Sequence, residues 1–147
     1  VSIEMFEAVG EEYWQTYLSV INERLKPGGR AALQIITIND EYFEEYRSNP
    51  DFIQRYIFPG GMLPSPEKFE GAVSKAGLSL SHSSYFGKSY GETLRRWDQS
   101  FKENWAEIEL LGFDQRFYRL WRYYLAYCEA GFDQEKINIG HFVIQHR

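Results

Sequence analysis

The chain carries a single cysteine, Cys128, in 147 residues. That excludes an internal disulfide and any multi-cysteine metal cluster, and a reducing compartment is the simplest reading. No apolar run approaches the roughly 18 residues that span a bilayer, so no transmembrane helix is expected. No charged-then-apolar leader opens the sequence. Positive charge is also short: 16 Lys and Arg against 21 Asp and Glu leave a net charge of −5. A nucleic-acid-binding domain would be basic, so no nucleic-acid partner is expected. There is no Gly-rich phosphate loop. Gly10 stands alone, and Gly28-Gly29 follows a predicted helix, where it reads as a terminator. His82, His141 and His146 lack metal-ligand spacing, and no serine sits in a nucleophile elbow.

What the chain has in excess is aromatic rings: 11 Tyr, 11 Phe and 4 Trp, or 18% of residues. They can fill a core, or they can line a site for an apolar or cationic species. Length and composition suit one domain, 1–147, with no low-complexity tract.

Hydrophobic spacing gives the element order. A strand is expected over 1–6, and a strand that starts at residue 1 suggests a piece of a longer fold. Apolar residues at spacings of three and four predict a helix over 11–25, stopped by Lys26-Pro27-Gly28-Gly29. The nearly continuous apolar run over 30–38 predicts a strand covered on both faces, as in a parallel sheet. These segments make a βαβ unit. The stretch 39–64, with short helices over 40–46 and 52–56 and a Pro-Gly-rich end, is long for a connection and reads as a lid-like insertion. Pro66 opens a helix to Ala76, stopped by Gly77, and a third strand follows over 78–86. Two aromatic helices are expected over 90–111 and 114–130, with Asp114 as N-cap and Gly131 closing the second. A last strand follows over 137–145.

Three polar residues stand out. Glu7 comes just after the first strand, where open α/β sheets place ligands; it is an acid/base candidate or an exposed loop residue. Gln34 lies mid-strand among apolar neighbours, where a buried amide needs partners. Tyr90 opens the first aromatic helix. Cys128 lies on the apolar face of the second and reads as a packed thiol.

Taken together, Met5-Phe6-Glu7-Ala8-Val9-Gly10, Leu25-Lys26-Pro27-Gly28-Gly29, Tyr56-Ile57-Phe58-Pro59-Gly60-Gly61 and Leu63-Pro64-Ser65 resemble the cyclopropane-fatty-acyl-phospholipid synthase family. Tyr90-Gly91-Glu92-Thr93-Leu94-Arg95-Arg96-Trp97 and Tyr123-Tyr124-Leu125-Ala126-Tyr127-Cys128 continue the resemblance in the same order. It covers essentially the whole chain. The mycolic acid cyclopropane synthases belong to the same group.

The resemblance implies an α/β fold: the C-terminal half of a Rossmann-like, S-adenosylmethionine-dependent methyltransferase, with a lid and an acyl-chain cover over 88–132. It implies methyl transfer to the cis double bond of an unsaturated phospholipid acyl chain. Proton loss from the resulting cation to a bound bicarbonate then closes a cyclopropane ring. By position, the bicarbonate ligands fall on Glu7, Tyr90 and the backbone amide of Ile36. The family's histidine falls on Gln34, which cannot titrate; a methyl- or methylene-branched product is therefore the alternative. A cysteine ligand and the cofactor-binding residues lie upstream in the family, so a non-catalytic lipid-binding remnant is a third reading. Phe58, Trp97, Tyr124 and Cys128 fall on acyl-contact positions. A cytoplasmic protein peripheral to the inner face of the membrane is implied. The edge strand over 1–6 would allow a homodimer. Arg95-Arg96 and Arg116/Arg119/Arg122 are candidates for anionic headgroups or for a solvated helix face.

Overall fold

A computed structural model describes all 147 residues, Val1–Arg147. It divides into two compact units, Val1–Phe86 with Ile137–Arg147, and Gly87–Lys136.

The first unit is a four-stranded sheet with helices. In chain order it holds β1 (Ser2–Ile3), a 3₁₀ turn (Glu11–Tyr13), α1 (Trp14–Arg24), β2 (Arg30–Ile38), α2 (Asp40–Ser48), α3 (Phe52–Tyr56), α4 (Pro66–Lys75) and β3 (Leu78–Tyr85). β4 (Ile137–His146) returns after the second unit. The strand order is β1-β2-β4-β3. β1 runs parallel to β2, while β4 is antiparallel to both its neighbours. The sheet is therefore mixed, where the βαβ pattern alone predicts a parallel one.

One face of the sheet carries the core. Leu33 and Ile35 of β2 meet Phe142 and Ile144 of β4 and Leu78 of β3. Trp14 and Leu18 from α1, Phe43 from α2 and Phe69 and Val73 from α4 close over them. Phe69 sits between Phe6 and Phe142, with ring centroids 5.2 and 5.0 Å away at steep angles, the edge-to-face geometry aromatic rings prefer. The other face departs from the two-sided burial expected of β2. Ala32 is exposed, and Gln34 and Ile36 are only half-buried. Alternation along the strand therefore survives beneath an apolar run, because Ala32 and Ile36 supply apolar chemistry without full cover.

The first strand is much shorter than its apolar spacing predicts. Glu4 takes a left-handed backbone, φ 50°, which ends the extended run after Ile3. The chain then turns through Met5–Ala8, with the Ala8 N–H donating to the Met5 carbonyl. This turn buries Phe6 and Glu7.

In β3 an irregularity between Leu80 and His82 shifts the register. A bulge inserts one residue and flips the alternation. Leu78, Leu80 and Tyr85 thus share a face despite their unequal parity, Tyr85 packing edge-on to Phe142 at 5.6 Å.

The second unit is helical: α5 (Gly87–Glu103), α6 (Trp105–Leu110) and α7 (Gln115–Asp133). The sequence predicts two helices here, and two local details correct it. Asn104 breaks the first, because its amide donates to the Ser100 carbonyl at 2.8 Å in competition with the helical ladder. Gly131 does not end the second. The helix runs past it to Asp133, and Glu135 takes the left-handed position instead, φ 55°. The N–H groups of Glu135 and Lys136 cap the carbonyls of Phe132 and Gly131, the pairing of a Schellman terminus. Asp114 caps α7 as expected, accepting from the Phe117 N–H at 2.8 Å. Rings of Phe101, Trp105, Phe117, Tyr118, Trp121 and Tyr124 run in a contact series along this unit.

Candidate functional site

Glu7 lies at the carboxyl end of β1, in the turn that Glu4 begins. Its Oε1 accepts from the main-chain N–H of Ile36 at 2.6 Å. Its Oε2 is buried and has no protein hydrogen-bond partner. Burial pushes the carboxyl up to about 7, against the pull of the Ile36 and Glu7 N–H groups, with the nearby Glu4 charge adding to the rise. Near neutral pH the group therefore exists in both forms. It can accept a hydrogen bond at Oε2 or donate one there.

The insertion 39–64 is tied to this turn. The Met62 N–H donates to the Glu7 carbonyl at 2.9 Å, and the Ile38 N–H donates to the Pro64 carbonyl at 3.0 Å. Gly10, at φ +78°, leaves room where a Cβ would stand 2.9 Å from the Gly60 carbonyl oxygen. Phe43 and Met62 belong to the core. The Phe58-Pro59-Gly60-Gly61 turn is closed by the Gly61 N–H on the Phe58 carbonyl. Its Gly61 carbonyl accepts from Gln54 Nε2. The phenyl ring of Phe58 is 55% exposed at this turn.

Gln34 has two side-chain partners. Its Nε2 donates to Glu4 Oε1 at 2.8 Å, and its Oε1 lies 3.0 Å from His141 Nε2. The antiparallel register sets Gln34 opposite His141. Sequence reading places neither Glu4 nor His141 at the site. They are 30 and 107 residues from Gln34, and only the β2–β4 register brings the latter near. Its one sequence signal is a histidine breaking the apolar alternation of the last strand.

Glu7 and Ile36 are thus joined directly, with Gln34 two residues before Ile36 on β2. Tyr90, Trp97, Tyr124 and Cys128 belong to the helical unit. There the Tyr90 ring stands 6.0 Å from Trp97 and 5.1 Å from Phe132. Trp97 is 49% exposed, whereas Cys128 is buried. Tyr124 packs against Trp121 at 5.0 Å, and its spacing of four from Cys128 puts both on one side of α7. Of the arginines, Arg95 binds Glu92, Glu129 and Asp133. Arg96 pairs with Glu92, and Arg122 with Asp98.

The fold is that of S-adenosylmethionine-dependent methyltransferases. The cyclopropane synthase MmaA2 from Mycobacterium tuberculosis matches with TM-score 0.86 at 24% identity, over 97% of this chain and 53% of that one. The mycolic acid cyclopropane synthase CmaA1, solved with SAH and CTAB, matches with TM-score 0.85 at 26% identity, over the same shares. The family model for mycolic acid cyclopropane synthetase matches residues 1–142, and the chain belongs to that family. Among curated relatives, the tuberculostearic acid methyltransferase UfaA1 of Mycobacterium tuberculosis is 40% identical over 133 residues, covering 90% of this chain and 31% of its own length. The cyclopropane-fatty-acyl-phospholipid synthase of Escherichia coli is 33% identical over 143 residues, covering 97% and 36%. The chain thus spans about a third of these relatives' length.

Proposed function

We propose that the protein containing this chain transfers a methyl group from S-adenosylmethionine to the cis double bond of an unsaturated phospholipid acyl chain and closes a cyclopropane ring. The observation that carries the reading is the buried Glu7 carboxyl, anchored through Oε1 and with Oε2 open to a further partner. When bound, S-adenosylmethionine supplies the electrophilic methyl and bicarbonate accepts the proton lost as the ring closes.

Glu7 fits a bicarbonate ligand. A carboxyl that titrates at about 7 can hold one shared proton between itself and an anion, avoiding two facing charges. The Ile36 N–H fixes the carboxyl by its other oxygen. Gln34 offers an amide donor on the same strand. Tyr90 is assigned here as a further ligand, and Phe58, Trp97, Tyr124 and Cys128 as acyl contacts, by their positions in the family motifs. In this reading the stretch 39–64 is a lid, and 88–132 covers the acyl chain. Aromatic faces suit a transient cation because they stabilise charge without trapping it.

In this reading the protein acts as a peripheral protein on the inner, cytoplasmic face of the membrane. Leu110 and Leu111, 87% and 77% exposed at the end of α6, support such contact. No helix is long and apolar enough to cross a membrane.

A second reading is a methyl- or methylene-branched product. Gln34 in place of histidine favours it, as does the 40% identity to a relative named as a tuberculostearic acid methyltransferase. Product analysis with methyl-labelled S-adenosylmethionine separates the two. Glu7→Gln tests the site itself, with a fall of roughly 100-fold or more in turnover expected from losing a group that moves a proton.

A further inference from the structure

Gln34 has an amide, and an amide in a site has a polarity that something must set. Glu4 sits at one end of it and His141 at the other. A carboxylate only accepts, so the amide nitrogen faces Glu4 and the amide oxygen faces His141. His141 must then carry its proton on Nε2 and donate it to Gln34 Oε1. The Phe86 ring, 4.7 Å from the imidazole centroid, packs against the histidine.

We propose that His141 is a positioning residue, which locks the Gln34 side chain so that it presents an N–H, never its oxygen, to an acceptor bound beside Glu7. The Gln34 oxygen is taken by His141, and one of its two N–H groups is taken by Glu4. The remaining polar capacity on the nitrogen is a single donor. An anion or another hydrogen-bond acceptor is therefore the chemistry this position takes. Without His141 only the Glu4 contact holds the amide; its oxygen is no longer held, and an amide that turns over offers a carbonyl oxygen, which repels an anion. The inference rests on the proposed anion site at Glu7 and adds to it a residue 107 positions from Gln34.

The test uses the full-length protein with ¹⁵N-labelled glutamine, the Gln34 side-chain signals being those lost in Gln34→Ala. His141→Phe keeps a ring against Phe86 and removes the donor; His141→Gln keeps a donor. Sodium bicarbonate is the probe. The expected result is saturable movement of the Gln34 amide signals in the wild type. His141→Phe should change those signals and need about tenfold more bicarbonate, with Tm unchanged. His141→Gln should restore most of the response, and His82→Phe, on the neighbouring strand, should match the wild type. Turnover should fall about tenfold in His141→Phe at unchanged KM for lipid, with no further loss when it is added to Gln34→Ala. Gln34 signals and bicarbonate response unaltered in His141→Phe would overturn the proposal, as would losses that multiply in the double variant. Absence of methyl transfer by the wild type would count against the lipid reading instead, and the amide signals alone would still decide the role of His141.

Discussion

The main-chain N–H of Ile36 donates to Glu7 Oε1 at 2.6 Å, joining the turn after β1 to the C-terminal part of β2 across 29 residues. This contact leaves Oε2 of a buried carboxyl without a protein hydrogen-bond partner, open to the proposed ligand. A backbone donor on a central strand holds its position more firmly than a side chain would, which is what a proton-handling group requires.

Burial of Glu7 makes stability pH-dependent. The folded-state pKa of about 7 lies above the ordinary 4.5, so the folded chain binds the proton more tightly than the unfolded one. The contribution is complete below about 4.5 and is lost as pH rises through about 7. Its span is roughly 3 kcal/mol. Glu7→Gln should remove this dependence, and denaturant titrations of the full-length protein between pH 5 and 8 should show a flatter stability profile. An unchanged slope would mean that Glu7 ionises normally.

Gly10 and Gly28 separate strain from collision. Both have positive φ, but a Cβ at Gly10 meets the Gly60 carbonyl oxygen at 2.9 Å, whereas at Gly28 nothing lies within 4 Å. Gly28→Ala should cost about 1 kcal/mol, the left-handed penalty alone. Gly10→Ala should cost roughly 2–3 kcal/mol and lower turnover, because it displaces the Gly60 turn from the Glu7 segment. Equal losses would remove the claim that the turn rests on Gly10.

Phe69 is fully buried between Phe6 and Phe142. Phe69→Ala should destabilise by roughly 3–5 kcal/mol, through lost burial and the cavity left behind. Equilibrium denaturation checks it; a cost near 1 kcal/mol would show that the core can collapse around the gap.

Gln34→His introduces the histidine that the family resemblance implies at this position. A neutral imidazole also has one donor and one acceptor nitrogen, but on a rigid ring it must meet Glu4 and His141 in a different geometry from the amide. Product ratios from labelled S-adenosylmethionine should move toward the ring if Gln34 diverts the cation to a branch. Identical ratios would show that the residue at 34 does not select the product.

Much of this was readable from the sequence because local chemistry agreed with the final fold. Lys26-Pro27-Gly28-Gly29 ends α1 where expected, and β2 occupies 30–38 as its apolar run predicts. Pro66 opens α4 as expected, and the structure adds Ser65 as its N-cap. What was not readable depends on tertiary register or on single side chains. The strand after Val1 stops at Glu4 because of one left-handed residue. The helix break at Asn104 comes from one amide competing for a carbonyl. The mixed sheet follows from the direction of β4, which composition does not encode. Of the candidate site, Glu7 is legible because it follows the first strand, and Gln34 because it is polar within an apolar run. Glu4 and His141 are not, since only strand pairing brings them to Gln34.

The most direct measurement is the fate of the labelled methyl group. The full-length protein is incubated with ¹³C-methyl S-adenosylmethionine and vesicles of a monounsaturated phospholipid, and the acyl product is read by NMR for wild type and Glu7→Gln. Label in a cyclopropane ring is expected for the wild type, with roughly 100-fold less product for Glu7→Gln. Label in a methyl or methylene branch would contradict ring closure. No labelled lipid, or full turnover without the Glu7 carboxyl, would contradict the central claim.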